Sequence, residues 1–150
     1  MTNLIYLAYG SNLDMGQMQY RCPYAKPHGF KMLPDYRLVF RGVADIIPAK
    51  GFVCPVGLWK ITDACEKALD RYEGFPTLYR KEYFENTRTK DTYMAYVMNQ
   101  DGLSMPPQQY YEGIKRGYGH FGIDTKYLTE ALDFTRQYDT ADVHIPKRYR

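Results

Sequence analysis

Leu4–Ala8 reads LIYLA, an apolar run that breaks into Tyr9-Gly10-Ser11-Asn12, so the pattern predicts a buried strand closed by a turn. A short helix over 14–21 follows, with Asn12 near its N-cap and Asp14 favourable against the positive end of the helix dipole. Pro23, Pro27, Gly29 and Pro34 mark an irregular connection. Residues 36–41 (YRLVFR) then read as a strand and 42–51 as a loop. Residues 52–61 form a further strand, in which Pro55 and Gly57 signal an edge or a bulge.

The clearest helical period lies in Asp63–Glu73. Asp63 and Glu66 have the spacing of a capping box, Cys65, Ala68, Leu69 and Tyr72 recur on one face, and Gly74 supplies the stop. Two strands, 78–88 and Thr92–Met98, are joined by a polar turn at 89–91. Pro106 and Pro107 open a helix carrying Tyr110, Tyr111 and Ile114. A last helix over 125–136 places Leu128, Ala131 and Leu132 on one face, and a polar, extended tail covers 137–150. Strand clusters interrupted by helices, without regular βαβ alternation, predict an α+β fold.

Composition narrows the class without changing this picture. At 150 residues, 45% apolar and 25% charged, the chain is read as one globular domain able to bury a core without staples. Its net charge of +3 is too small to imply nucleic acid. No apolar run approaches the roughly 18 residues of a membrane span, and the N-terminus lacks the basic and long apolar regions of a signal peptide, so a cytoplasmic location is expected. Cys22, Cys54 and Cys65 are odd in number and lack ligand spacing, and His28, His120 and His144 are scattered. Reduced, partly buried thiols, no metal and no cofactor are the expectation.

Two segments carry the candidate chemistry. Gly10 permits close backbone approach, and Ser11 and Asn12 at a helix entrance leave N–H donors without helical partners, a cradle for a carboxylate or an oxyanion. No G-x-S-x-G elbow surrounds Ser11 and no histidine partner is evident, so a covalent nucleophile is not read there. Glu73 ends its helix, where the dipole opposes an anion by roughly 0.3–1 kcal/mol. That position makes the carboxylate a better proton acceptor near neutral pH. The plainer readings are an ordinary strand–turn–helix corner and a solvated surface acid beside Arg71 or Arg80. Among the sixteen tyrosines, Tyr79, Tyr96 and Tyr110 are placed to line the same cavity, with a core role the default for Tyr96.

The segment Tyr6-Leu7-Ala8-Tyr9-Gly10-Ser11-Asn12-Leu13 resembles the signature of the γ-glutamylcyclotransferase family. Leu69-Asp70-Arg71-Tyr72-Glu73-Gly74, with Tyr79 following, resembles the segment bearing that family's catalytic glutamate. Tyr96-Val97-Met98 and Pro106-Pro107-Gln108-Gln109-Tyr110, then Gly117, resemble its later blocks in the same order, so the likeness runs from about residue 5 to 132. It implies a γ-glutamylcyclotransferase-like, AIG2-like domain over 1–150, built as a small mixed β-barrel with flanking helices. The implied reaction is an intramolecular acyl transfer that closes a γ-glutamyl amino acid, peptide or amine to 5-oxoproline and frees the amine. By position, Tyr6, Leu7, Ala8, Tyr9, Gly10 and Ser11 become the substrate-binding loop, Glu73 the general base and Tyr110 a further substrate contact. Asn12 and Tyr79 join the expected substrate contacts.

The implied chemistry asks for a base that takes a proton from the substrate α-amino group and returns it to the departing nitrogen. Ring closure gains much of its rate from a correctly folded substrate. No metal, nucleotide or covalent intermediate is needed. Related readings are removal of a γ-glutamyl protecting group from a biosynthetic amine, and a non-catalytic module that keeps the cradle alone. Tyr138, Tyr149 and the terminal KRYR of 147–150 mix aromatic and basic residues as single-strand binders do, but four terminal residues read more simply as a solvated tail. The expected partner is thus a small γ-glutamyl substrate, with no nucleic acid and no membrane, and a homodimer is left open.

Overall fold

A computed structural model describes residues 3–86 and 88–139 of the chain. Its central strand is β1 (Leu4–Ala8), whose apolar run is buried because it has a strand neighbour on each side. β2 (Lys26–Phe40) and β3 (Ala44–Ile61) form a long hairpin, and β3 pairs antiparallel with β1, Tyr6 opposite Trp59. On its other side β1 runs parallel to β5 (Thr92–Met98), Tyr6 opposite Met94, and β4 (Tyr79–Phe84) pairs antiparallel with β5. The order is β2-β3-β1-β5-β4.

The fold is α+β, but the sheet is not closed, since β2 and β4 are its edges. The edges do meet through side chains. Tyr36 of β2 and Phe84 of β4 stack edge to face with ring centroids 5.4 Å apart. The barrel implied by the family resemblance is therefore an open sheet whose margins touch without hydrogen-bonding along their length.

Much of the chain read as irregular is strand. Proline is tolerated in β2 because the strand is an edge and its register shifts between Pro27 and Phe30 and between Pro34 and Tyr36. The loop expected at 42–51 shrinks to a tight turn, where the Arg41 N–H donates to Val43 O at 2.8 Å and Gly42 adopts φ 78°. β3 is an inner strand, but β1 pairs with it only from Gly57 onward, so Pro55 has a strand neighbour on one side alone.

The helices follow the periodicity more closely. A single 3-10 turn, Ser11–Leu13, precedes α1 (Met15–Arg21), and Asp14 rather than Asn12 is the N-cap, accepting from the Gly16 N–H at 3.0 Å. α2 (Asp63–Glu73) is capped by Thr62, whose hydroxyl accepts from the Cys65 N–H at 3.1 Å, so Asp63 and Glu66 serve the first turn's dipole instead of a capping box. Gly74 ends α2 in the left-handed conformation at φ 69°. α3 (Gln108–Phe121) begins after Pro107, and α4 (Lys126–Gln137) packs on β2, where the Phe40 N–H donates to Thr135 Oγ1 at 3.2 Å. β4 ends at Phe84, earlier than the pattern suggested.

The expectation of three reduced thiols is corrected. Cys22 at the end of α1 and Cys65 in the first turn of α2 are joined as a disulfide, because the two helices pack with these Cα atoms 5.2 Å apart. Cys54 is free and buried, and burial pushes its thiol far above the ordinary value. Residues 140–150, with His144 and the terminal KRYR, lie outside the described residues. Among the described residues no helix is long and apolar enough to cross a membrane.

Candidate active site

β1 carries Tyr6 and then delivers the chain into the Ser11–Leu13 turn. That turn is closed by Leu13 N–H to Gly10 O at 3.0 Å and Asp14 N–H to Ser11 O at 3.1 Å. The N–H groups of Ser11 and Asn12 stand at its start and have no partner within it. Gly10 sits where a side chain would crowd its neighbours: a Cβ would lie 3.1 Å from Tyr110 Oη and 3.2 Å from Ala44 Cβ. From below, the indole N–H of Trp59 donates to Asn12 O at 3.0 Å and anchors the turn to β3.

Glu73, the last residue of α2, is only 6% exposed. It shares a narrow pocket with Gly10, Ser11 and Asn12 of the turn. Tyr6, Tyr9, Tyr79, Tyr96 and Tyr110 form most of the wall, and Ala44 completes it. Among the described lining residues Glu73 is the one carboxylate.

The tyrosines are held in defined directions. Tyr9 donates to Tyr96 O and, at 3.4 Å, to Asp45 Oδ1. Asp45 is buried, paired with Arg41 at 2.7 Å, and accepts from the Met98 N–H at 3.0 Å. Burial pushes the Asp45 carboxyl above its ordinary value despite these partners. Tyr6 accepts from Asn12 Nδ2 at 3.0 Å, and Tyr110 accepts from the Ala44 N–H at 2.9 Å. Tyr96 donates to Asp70 Oδ1. Burial, then the nearby carboxylates, raise Tyr6, Tyr9, Tyr96 and Tyr110 well above the ordinary phenol range, except that at Tyr110 the charge of Tyr72 counts before that of Glu73. At neutral pH these hydroxyls are therefore protonated donors. The pocket thus sets neutral hydroxyls, those of Tyr9 and Tyr96 already spent on Tyr96 O and Asp70, against a single acid, an arrangement able to hold a polar oxygen and to move a proton.

The structure brings most of the expected residues together. Tyr6, Tyr9, Gly10, Ser11, Asn12, Glu73, Tyr79 and Tyr110 all line the pocket. Leu7 and Ala8 do not: both are fully buried in the core of β1. Tyr96, for which alternation favoured the core, lines the pocket, and so does Ala44, hidden in a stretch read as a loop. Asp45 and Arg41, which stand behind Tyr9, carry no sequence signal beyond their i, i+4 spacing. Among the described residues no group of three or more His, Cys, Asp or Glu is arranged to hold a metal ion.

Comparison with known families matches residues 6–117 to the family described as gamma-glutamyl cyclotransferase, AIG2-like. Several solved structures share the fold. One described as gamma-glutamyl cyclotransferase aligns with TM-score 0.76 and 22% identity over 98% of this chain and 95% of its own. A human protein described as uncharacterized, loc79017, gives TM-score 0.73 and 22% identity over 97% and 94%. YkqA from Bacillus subtilis gives TM-score 0.70 and 20% identity over 93% of this chain and 56% of its own. No curated protein sequence matches the chain.

Proposed function

The chain belongs to the AIG2-like γ-glutamyl cyclotransferase family, and from that premise we propose that it converts a γ-glutamyl amino acid, peptide or amine to 5-oxoproline and a free amine. One observation carries the reading: Glu73, buried at the end of α2, shares one small pocket with the Gly10–Asn12 turn and five tyrosines.

In this reading the α-amino nitrogen of the γ-glutamyl unit attacks its own γ-carbonyl carbon. Glu73 takes the proton that this nitrogen loses. The carbonyl oxygen gains negative charge, the bond to the departing nitrogen breaks, and Glu73 returns the proton to that nitrogen. Reactant and products balance without water. The N–H groups of Ser11 and Asn12 and the protonated Tyr6 hydroxyl, which accepts from Asn12, are donors for the substrate carboxylate and for the developing oxyanion. Folding the substrate into the narrow pocket supplies the effective molarity of ring closure.

The test is incubation with a panel of γ-glutamyl dipeptides and γ-glutamyl amines while 5-oxoproline and free amine are measured. Equal amounts of both products from at least one substrate are expected. If no member of the panel is turned over, the enzymatic reading fails while the family assignment stands.

A further inference from the structure

The pocket has a cation behind its wall that the reaction just described does not use. Arg21, the last residue of α1, sits over the Tyr72 ring with its guanidinium carbon 3.7 Å from the centroid. Its Nη1 donates to Asn12 Oδ1 and its Nη2 to Gln17 Oε1 at 3.2 Å. A guanidinium has donors only, so the Asn12 atom turned toward it is the carbonyl oxygen. The amide nitrogen is thereby left on the other side, where it donates to the Tyr6 hydroxyl at 3.0 Å. A phenol oxygen that accepts this bond keeps its own proton for another acceptor.

The second arm of Arg21 reaches α2. Tyr72 precedes Glu73, and its hydroxyl lies 3.3 Å from Ser11 Oγ. One guanidinium therefore touches both Asn12 of the turn and Tyr72, the residue before Glu73 in α2.

Resting on the cyclotransferase reading of the pocket, we propose that Arg21 is a positioning residue. It sets the direction of the Asn12 amide, and through it leaves Tyr6 as a hydrogen-bond donor to the γ-carbonyl oxygen that becomes negative as the ring closes. A donor aimed at developing charge acts more in the transition state than in the ground state, so its loss lowers kcat more than it raises KM. An arginine in the last turn of a helix has an ordinary role too, favourable contact with the negative end of the dipole. Lysine keeps that role but not the planar fork that seats on Tyr72 and aligns the amide.

The experiment compares the wild-type chain with Arg21→Lys, Asn12→Ala, their combination, and Asn12→Asp. In the wild-type background Arg21→Lys is expected to lower kcat by about tenfold to a hundredfold with KM little changed, and to have no further effect once Asn12 is alanine. Equal losses in both backgrounds overturn the proposal. Asn12→Asp keeps the partner of Arg21 but cannot donate to Tyr6, so it remains informative should Arg21→Lys fail to fold. Full kcat in Asn12→Asp also overturns the proposal. The side-chain amide of Asn12, followed by ¹⁵N NMR, reads the relay without turnover and is expected to shift in Arg21→Lys. An unmoved amide sinks the relay, whereas a moved amide in a chain that makes no 5-oxoproline sinks the cyclotransferase reading alone.

Discussion

Gly117 of α3 rests directly on Leu13: a Cβ built on it would stand 2.5 Å from Leu13 Cβ and 2.6 Å from the backbone nitrogen of Asp14. The helix therefore supports the turn that carries Ser11 and Asn12. Replacing a helical glycine by alanine ordinarily gains up to about 1 kcal/mol of helix propensity. Here the added methyl meets atoms that cannot swing aside, and overpacking of this kind costs about 1–3 kcal/mol. Gly117→Ala is expected to lower Tm by several degrees, measured by calorimetry. A variant melting above the wild type would show that the helix can retreat without cost.

Glu73→Gln keeps the shape of the side chain and removes its ability to accept a proton. Ligand binding is expected to persist within a few fold, measured by titration with a γ-glutamyl compound, while 5-oxoproline formation falls by about 10²–10⁴. Unchanged turnover in this variant removes Glu73 from the mechanism.

Asp14 offers a pH-dependent handle on the same corner. Burial alone would raise its carboxyl, but Arg116, Gln17 and the Gly16 N–H outweigh this and hold it below its ordinary value of 3.8. The carboxylate form is thus favoured in the folded chain. Its contribution is present in full above the unfolded value and is lost as the pH falls through the lower folded value. Asp14→Asn keeps a cap but loses the 3.2 Å ion pair to Arg116. Its stability deficit in urea titrations is expected to be constant near neutrality and to shrink below pH 3.8. A deficit independent of pH would refute the assignment.

Tyr118 is fully buried, and among the described residues its hydroxyl has no hydrogen-bond partner. Leaving such a group unpaired costs about 1–3 kcal/mol. Tyr118→Phe is therefore expected to melt at or above the wild-type temperature. A clear loss of stability would reveal a partner for this oxygen.

The sequence made the local elements with strong periodicity legible, and it failed where tertiary context overrides local signals. Asp63–Glu73 has the predicted bounds because its apolar face and Gly74 agree. Pro27 and Pro34 misled because proline breaks an inner strand but not the edge of a long hairpin, a distinction that depends on strand order. Asp45 resembled a loop residue because its partner, Arg41, lies across a turn whose tightness is set by Gly42. The disulfide between Cys22 and Cys65 joins two helices 43 residues apart, and spacing alone carries no trace of it. At the site, the turn and Glu73 stood out by their own chemistry. Ala44 and Arg21 did not, because each acts through a residue distant in the chain.

The parallel pairing of β1 with β5, Tyr6 opposite Met94, has a consequence for how the protein comes into being. The pocket combines residues from Tyr6 to Tyr110, so its wall is complete only once α3 has packed against the turn. Occupancy of the pocket is then a signature of the assembled fold. Any molecule that binds there selects the finished fold over every shorter or unravelled form, and raises its stability in proportion to the logarithm of ligand concentration. In a cell rich in such a ligand, the ligand itself would shield the newly made chain from proteolysis.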